Sequence, residues 1–209
     1  MTTITTYAEL KQNIEDYTKR SGSDMGGKLD QFIDAAESDI NKDLRVREME
    51  SQATATTSTS DRYVSLPTGF IKMRRMMITI DGVLYQVPQL PHGSVMAIYD
   101  DGAVPTQFSV TSQIEMNRKS DQAYTLTIDY YQEVTALSGS NTSTTVLTTY
   151  PMIYLAGCLK HAFRWNMQYD LADYWDGKFK EEVAKANRKA RAGRIGPTPV
   201  VLPHGGMVV

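Results

Sequence analysis

The chain has 209 residues, a formal net charge of −2 and one cysteine, Cys158, long enough to bury a core as one domain or two small ones. The near-neutral balance excludes a strongly basic surface for tight DNA binding. One cysteine excludes an internal disulfide and fits synthesis in a reducing cytoplasm, and no apolar run approaches the roughly 18 residues of a membrane span.

The opening MTTITTYAEL has neither the charged nor the apolar region of a signal peptide. Thr6-Tyr7-Ala8-Glu9 fits a capping box and predicts a helix to about Arg20, with Tyr7, Leu10, Ile14 and Tyr17 on one face. Ser21–Asp24 breaks it, and a second helix is expected from about Met25 to Arg47. Leu29, Phe32, Ile33, Ala36, Ile40 and Leu44 recur along it at steps of three and four, a narrow stripe that buries against a partner.

Residues 51–60, SQATATTSTS, read as a polar low-complexity link. Strand signals follow. Tyr63–Leu66 alternates, Pro67-Thr68-Gly69 turns the chain, and Phe70–Ile80 is rich in Ile and Met. Asp81-Gly82 is a hairpin turn that returns through Val83–Val87. A short helix is expected over 93–100, then strands over Thr106–Thr111, Ile114–Met116 and Tyr124–Tyr131. A second Ser/Thr-rich link covers residues 135–147. Pro151 suits the first turn of a helix that runs to about Tyr169, and a last helix continues from Asp170 to about Ala192 and stops at Gly193. The remaining RIGPTPVVLPHGGMVV, with three prolines and three glycines, cannot be helical and is apolar for a free tail. An apolar tail without its own core needs somewhere to dock.

Charge is unevenly placed. Residues 1–61 hold seven Lys/Arg and twelve Asp/Glu, whereas residues 178–194 hold seven Lys/Arg and two Glu. Either these are solvated helix faces, or the acidic first half pairs with the basic last helix, within a subunit or across a ring.

The candidate chemistry is thin. Gly22-Ser23-Asp24-Met25-Gly26-Gly27-Lys28 has the form of a phosphate-binding loop, but Leu29 stands where a Ser or Thr is required and the loop follows a helix instead of a strand. A turn between two helices is the favoured reading. Cys158 and His161 share a helix face, and no third ligand or base-orienting residue is evident, so a core thiol beside a helical histidine is favoured over a nucleophile pair or zinc site. Asp170, Asp173 and Asp176 mimic an acid cluster for a metal, but negative charge early in a helix is also favoured by the macrodipole. Trp165, Tyr169, Tyr174 and Trp175 resemble a base-stacking set, yet such residues more often pack one helix on its neighbour. No catalytic residue, metal or cofactor is assigned, and no enzyme activity is expected.

From Tyr7 to about Gly193 the chain resembles the head-to-tail adaptor (connector) proteins of short-tailed bacteriophages. The landmarks are YAELKQNIEDYT with LDQFIDAAESDINKDLRVREME, then YVSLPTGFIKMRRM, then TLTIDYYQEVTAL ahead of the Ser/Thr link. The last is YPMIYLAGCLKHAFRWNMQYDLADYWDGKFKEEVAKANRKARAGR, and together they follow the expected order. The expected fold is α+β: a bundle of four helices, a β-rich insert between the two helical pairs, and an extended C-terminal tail. The domains are then 1–50 with 149–193 as the helical ring domain, 62–134 as the insert, and 194–209 as the docking tail.

The resemblance implies a structural virion protein, made in the host cytoplasm and placed in the neck between capsid and tail. It implies a homo-oligomeric ring of about twelve copies beneath the portal protein. Its other partners are a tail or nozzle protein and genomic DNA, which passes through the lumen without sequence-specific binding. By position, the tail docks on the portal through Ile195, Pro197, Pro199, Val200, Val201, Leu202, Pro203, Met207, Val208 and Val209. The alternative is a tail receptor- or carbohydrate-binding protein, since a β-rich insert with exposed tyrosines suits a sugar. A small enzyme using Cys158 and His161 is the third reading.

Overall fold

The computed structural model describes residues 4–21, 23–25, 27–92, 98–99 and 101–193. The expected docking tail, Ile195–Val209, lies outside them, as do residues 93–97 and 100 of the short helix expected there; Ile98 and Tyr99 are not helical. The described chain divides into two units, one running up to Arg47 and resuming at Ala136, the other Glu48–Thr135.

The first unit is helical. α1 (Tyr7–Thr18) starts at the capping box read from the sequence: the Glu9 amide donates to Thr6 Oγ1 and the Thr6 amide donates to Glu9 Oε2 at 3.0 Å. It ends where Lys19 turns left-handed at φ 55°. α2 (Leu29–Asp43) buries Leu29, Phe32, Ile33, Ala36 and Ile40, the expected stripe, together with Glu37. The chain then becomes extended at Leu44, where Asn187 caps it: its Oδ1 accepts from the Arg45 amide at 2.7 Å and its Nδ2 donates to the Asp43 carbonyl at 2.9 Å. After a one-turn helix α3 (Thr145–Thr149), capped by Thr144, come α4 (Pro151–Trp165) and α5 (Tyr169–Ala192).

These helices do not make the expected bundle of four. There are five among the described residues, and α1, α2, α3 and α5 each pack on α4. The reason is the composition of α4. Nine of its fifteen residues are buried, from Ile153 through Leu159 without a break and then Ala162 and Phe163. A helix apolar nearly all round becomes the centre of a core, whereas a bundle member buries one stripe. At Gly157 a Cβ would lie 3.0 Å from Ala36 Cβ and 3.4 Å from the Phe179 ring, so the missing side chain lets α2 and α5 approach α4. The α+β composition is as expected, and the bundle of four is not.

The second unit holds two antiparallel sheets. β1 (Glu50–Thr56), β7 (Thr125–Gln132), β3 (Phe70–Ile80) and β4 (Val83–Val87) form one, in that order across the sheet; β2 (Tyr63–Val64), β6 (Ile114–Met116) and β5 (Phe108–Val110) form the other. β1 overturns the reading of 51–60 as a link: residues 50–56 pair with β7 from Glu50 opposite Tyr131 to Thr56 opposite Thr125. Asp81 (φ 50°) and Gly82 (φ 78°) make the two-residue hairpin turn between β3 and β4. One hydrophobic cluster draws on both sheets, with Met76, Ile78, Leu126 and Ile128 from the first and Phe108, Ile114 and Met116 from the second. Buried Asn117 holds the loop before β5: its Oδ1 accepts from the Thr106 amide at 3.0 Å and its Nδ2 donates to Thr106 Oγ1 at 3.0 Å.

Candidate interaction surfaces

The structure gives a place to the residue sets that fall among the described residues; the tail set, Ile195–Val209, lies outside them. Cys158 is fully buried in α4, and burial pushes its thiol well above the ordinary range, the opposite of an activated nucleophile. His161 turns to a different neighbour, its Nε2 lying 2.8 Å from Asp39 Oδ2. The pair expected on one helix face is therefore divided between the core and a surface network.

That network joins three helices. Asp39 of α2 accepts from Lys160 of α4 at 2.9 Å, and Lys160 reaches Asp176 of α5 at 3.3 Å. Burial works against an ionised Asp39, but the Lys160 ammonium and the His161 ring hold its carboxyl down to about 2. Asp176 is held below the usual carboxylate range, first by its hydrogen bond from Lys180. Asp176 thus belongs to a helix-joining web. Asp170 lies in the first turn of α5 and Asp173 sits 3.9 Å from Arg164, and no group of three metal-ligating side chains occurs among the described residues.

Half of the described basic residues of the last helix pair within it. Lys178, Lys180 and Lys185 meet Glu181, Asp176 and Glu182 at one-turn spacing. Arg188, Lys189 and Arg191 are exposed at its C-terminal end, where the helix dipole favours positive charge. The phosphate-loop pattern falls on the connection between α1 and α2, where Ser21 donates to Asp24 Oδ2 at 2.7 Å and Lys28 opens α2. Gly22 and Gly26 lie outside the described residues.

The sequence did not signal Glu37. It is only 5% exposed, and its Oε1 accepts from the Leu137 amide at 2.9 Å and the Tyr154 hydroxyl at 3.3 Å. Burial raises its carboxyl to about 7, against the lowering effect of those two donors. Its apolar neighbours in sequence mark a helix face, and its backbone partner is 100 residues away.

The aromatic set is partly packed and partly exposed: Trp165 is 43% exposed, and Tyr174 meets Trp175 edge-on at 5.4 Å. Trp175 packs edge-on against Tyr17 with ring centres 5.4 Å apart, and Trp165 lies 6.0 Å from Phe32. Tyr169 is 61% exposed, and with Met167 (77%), Leu171 and Tyr174 it forms an apolar surface at the turn from α4 to α5. A second exposed apolar stretch lies on the β3–β4 hairpin, where Val83, Leu84 and Tyr85 are each about half exposed. No helix among the described residues is long and apolar enough to cross a membrane.

The model of one protein family, described as SU10 adaptor protein, matches residues 5–202. No curated protein matches the chain.

Proposed function

Because the chain belongs to the SU10 adaptor family, a family of structural phage adaptor proteins, we propose that it is the head-to-tail adaptor in the neck of the virion. In this reading it forms a ring of about twelve copies beneath the portal protein. The ring joins the portal to the tail or nozzle protein and lets genomic DNA pass without sequence-specific binding. The observation that carries it is the extent of the match, residues 5–202, which spans both structural units and not one module alone. The exposed Met167–Leu171 turn supports it as a surface for a neighbouring protein. The family match favours this over a receptor- or carbohydrate-binding role.

Native mass measurement and electron microscopy of the protein mixed with portal rings test the proposal. A closed ring seated on the portal is expected. A portal-independent trimer that binds sugar would replace it with the receptor-binding reading.

The tail has a separate proposed role. Pro197, Pro199 and Pro203 favour an extended chain, so Ile195, Val200, Val201, Leu202, Met207, Val208 and Val209 lose less entropy on lying along a groove or sheet edge of the portal. Deleting residues 195–209 is expected to leave the helical unit folded by circular dichroism and to abolish portal attachment in a pull-down. Unchanged attachment would transfer docking to the basic end of α5.

A further inference from the structure

We propose that copies of the chain join through the free edges of the four-stranded sheet, with β4 of one copy pairing antiparallel with β1 of the next. The proposal rests on the ring reading above and names the contact between its neighbours.

Strand order comes first. Among the described residues, β1 and β4 are the two edges of the sheet, and every neighbouring pair within it is antiparallel. Across four strands, β1 and β4 therefore run in opposite directions. A β4 laid beside the next copy's β1 continues the same alternation, and a head-to-tail contact of this kind repeats into a ring when its rotation closes.

The hydrogen-bonding phase also fits. Ile80 and Val83 flank the two-residue turn, so the odd-numbered residues of β4 bond to β3 and the N–H and C=O groups of Leu84 and Gln86 point outward. The Thr57 amide donates to the Tyr124 carbonyl at 3.0 Å, which extends the β1–β7 register. The odd-numbered residues of β1 thus bond to β7, and those of Gln52, Thr54 and Thr56 point outward. Pairing Leu84 with Thr54 and Gln86 with Gln52 joins the outward groups of both edges.

That register also matches the faces. It sets Tyr85 opposite Ala53 and Val83 opposite Ala55. Tyr85 and Val83 share the core face of β4 with buried Val87 but are 51% and 52% exposed. Ala53 and Ala55 share the core face of β1, and beside them an open groove is lined by Tyr63, Leu66 and Pro67. Large half-exposed side chains at one edge meet small ones and a groove at the other. Neither Ser51–Thr56 nor Val83–Val87 carries a charge or a proline, the usual guards of a free edge. A contact five residues long buries far less than the roughly 1,200 Å² of a stable pair of free proteins. The occupant is accordingly a second copy already held alongside.

Disulfide trapping in portal-bound complexes tests this. The double variant Ala53→Cys with Tyr85→Cys should give a ladder of multimers on a non-reducing gel that collapses with reductant, while each single variant stays monomeric. A ring of normal mass that gives no ladder with this pair, or with Ala53→Cys and Val83→Cys, overturns the edge pairing and leaves the ring intact. Dimers from Tyr85→Cys alone overturn it in favour of β4 meeting β4. Complexes that carry no ring remove the ring reading, and this proposal with it. As a second measurement, Tyr85→Lys should keep the wild-type melting temperature yet weaken self-association at least tenfold; unchanged association counts against the pairing.

Discussion

Glu37 makes the helical unit sensitive to pH. Its carboxyl is raised from an ordinary 4.5 to about 7 in the fold, so between those values the folded chain keeps a proton that the unfolded chain has released. Its contribution is complete below about pH 4.5 and is lost as pH rises through 7, a span worth roughly 3 kcal/mol. Glu37→Gln keeps a carbonyl oxygen for the Leu137 amide and cannot ionise. Urea melts at pH 5, 6, 7 and 8 are expected to show this component of the slope in the wild type and its loss in the variant, which gains most at pH 8; parallel profiles refute the assignment. Phe32, buried on α2 and 6.0 Å from the Trp165 ring, should cost about 3–5 kcal/mol on truncation to Ala. Cys158→Ala removes one buried sulfur and no activated thiol, so it should lower stability by about 1–2 kcal/mol while adaptor incorporation into particles, measured by mass spectrometry, stays normal.

At the scale of elements, α4 depends on Gly157 as much as on its apolar residues. Gly157→Val places carbon where Ala36 and Phe179 already stand and should destabilise the helical unit by about 1–3 kcal/mol through overpacking. Thermal melts of the variant with and without Ala36→Gly check this, and partial rescue is expected. The capping box of α1, the stripe of α2 and the β3–β4 hairpin were legible in sequence because each is decided by residues a few positions apart. The centrality of α4 was not. An apolar face shows in the spacing of its residues, but the number of neighbours a helix will gather does not. β1 was hidden for a related reason: Ala53 and Ala55 alternate with Gln52, Thr54 and Thr56, a weak pattern that becomes a strand when β7 supplies the ladder. Of the surface sites, the aromatic set was visible from its composition. Its contacts were not: Trp165 meets Phe32 and Trp175 meets Tyr17, both far away in sequence.

On the scale of the whole molecule, the β unit interrupts the helical one and leaves it through the strand beside its first. Glu50 at the start of β1 stands opposite Tyr131 near the end of β7, so the chain re-emerges within about 5 Å of where it went in. Replacing residues 48–135 with a short Gly-Ser linker should therefore leave a folded helical protein, with circular dichroism and a single thermal transition as the check; an unfolded product would show that the helices need the insert. The same adjacency has a mechanical consequence. Tension between the two ends of the insert loads β1 and β7 from one end of their ladder, in the direction that opens a zipper. Their hydrogen bonds would then fail in sequence, from Ser51 through Ala53 to Ala55, each set bearing the load alone. The insert would peel open under a smaller pull than a sheet sheared along its strands, making this pair the compliant link in the polypeptide.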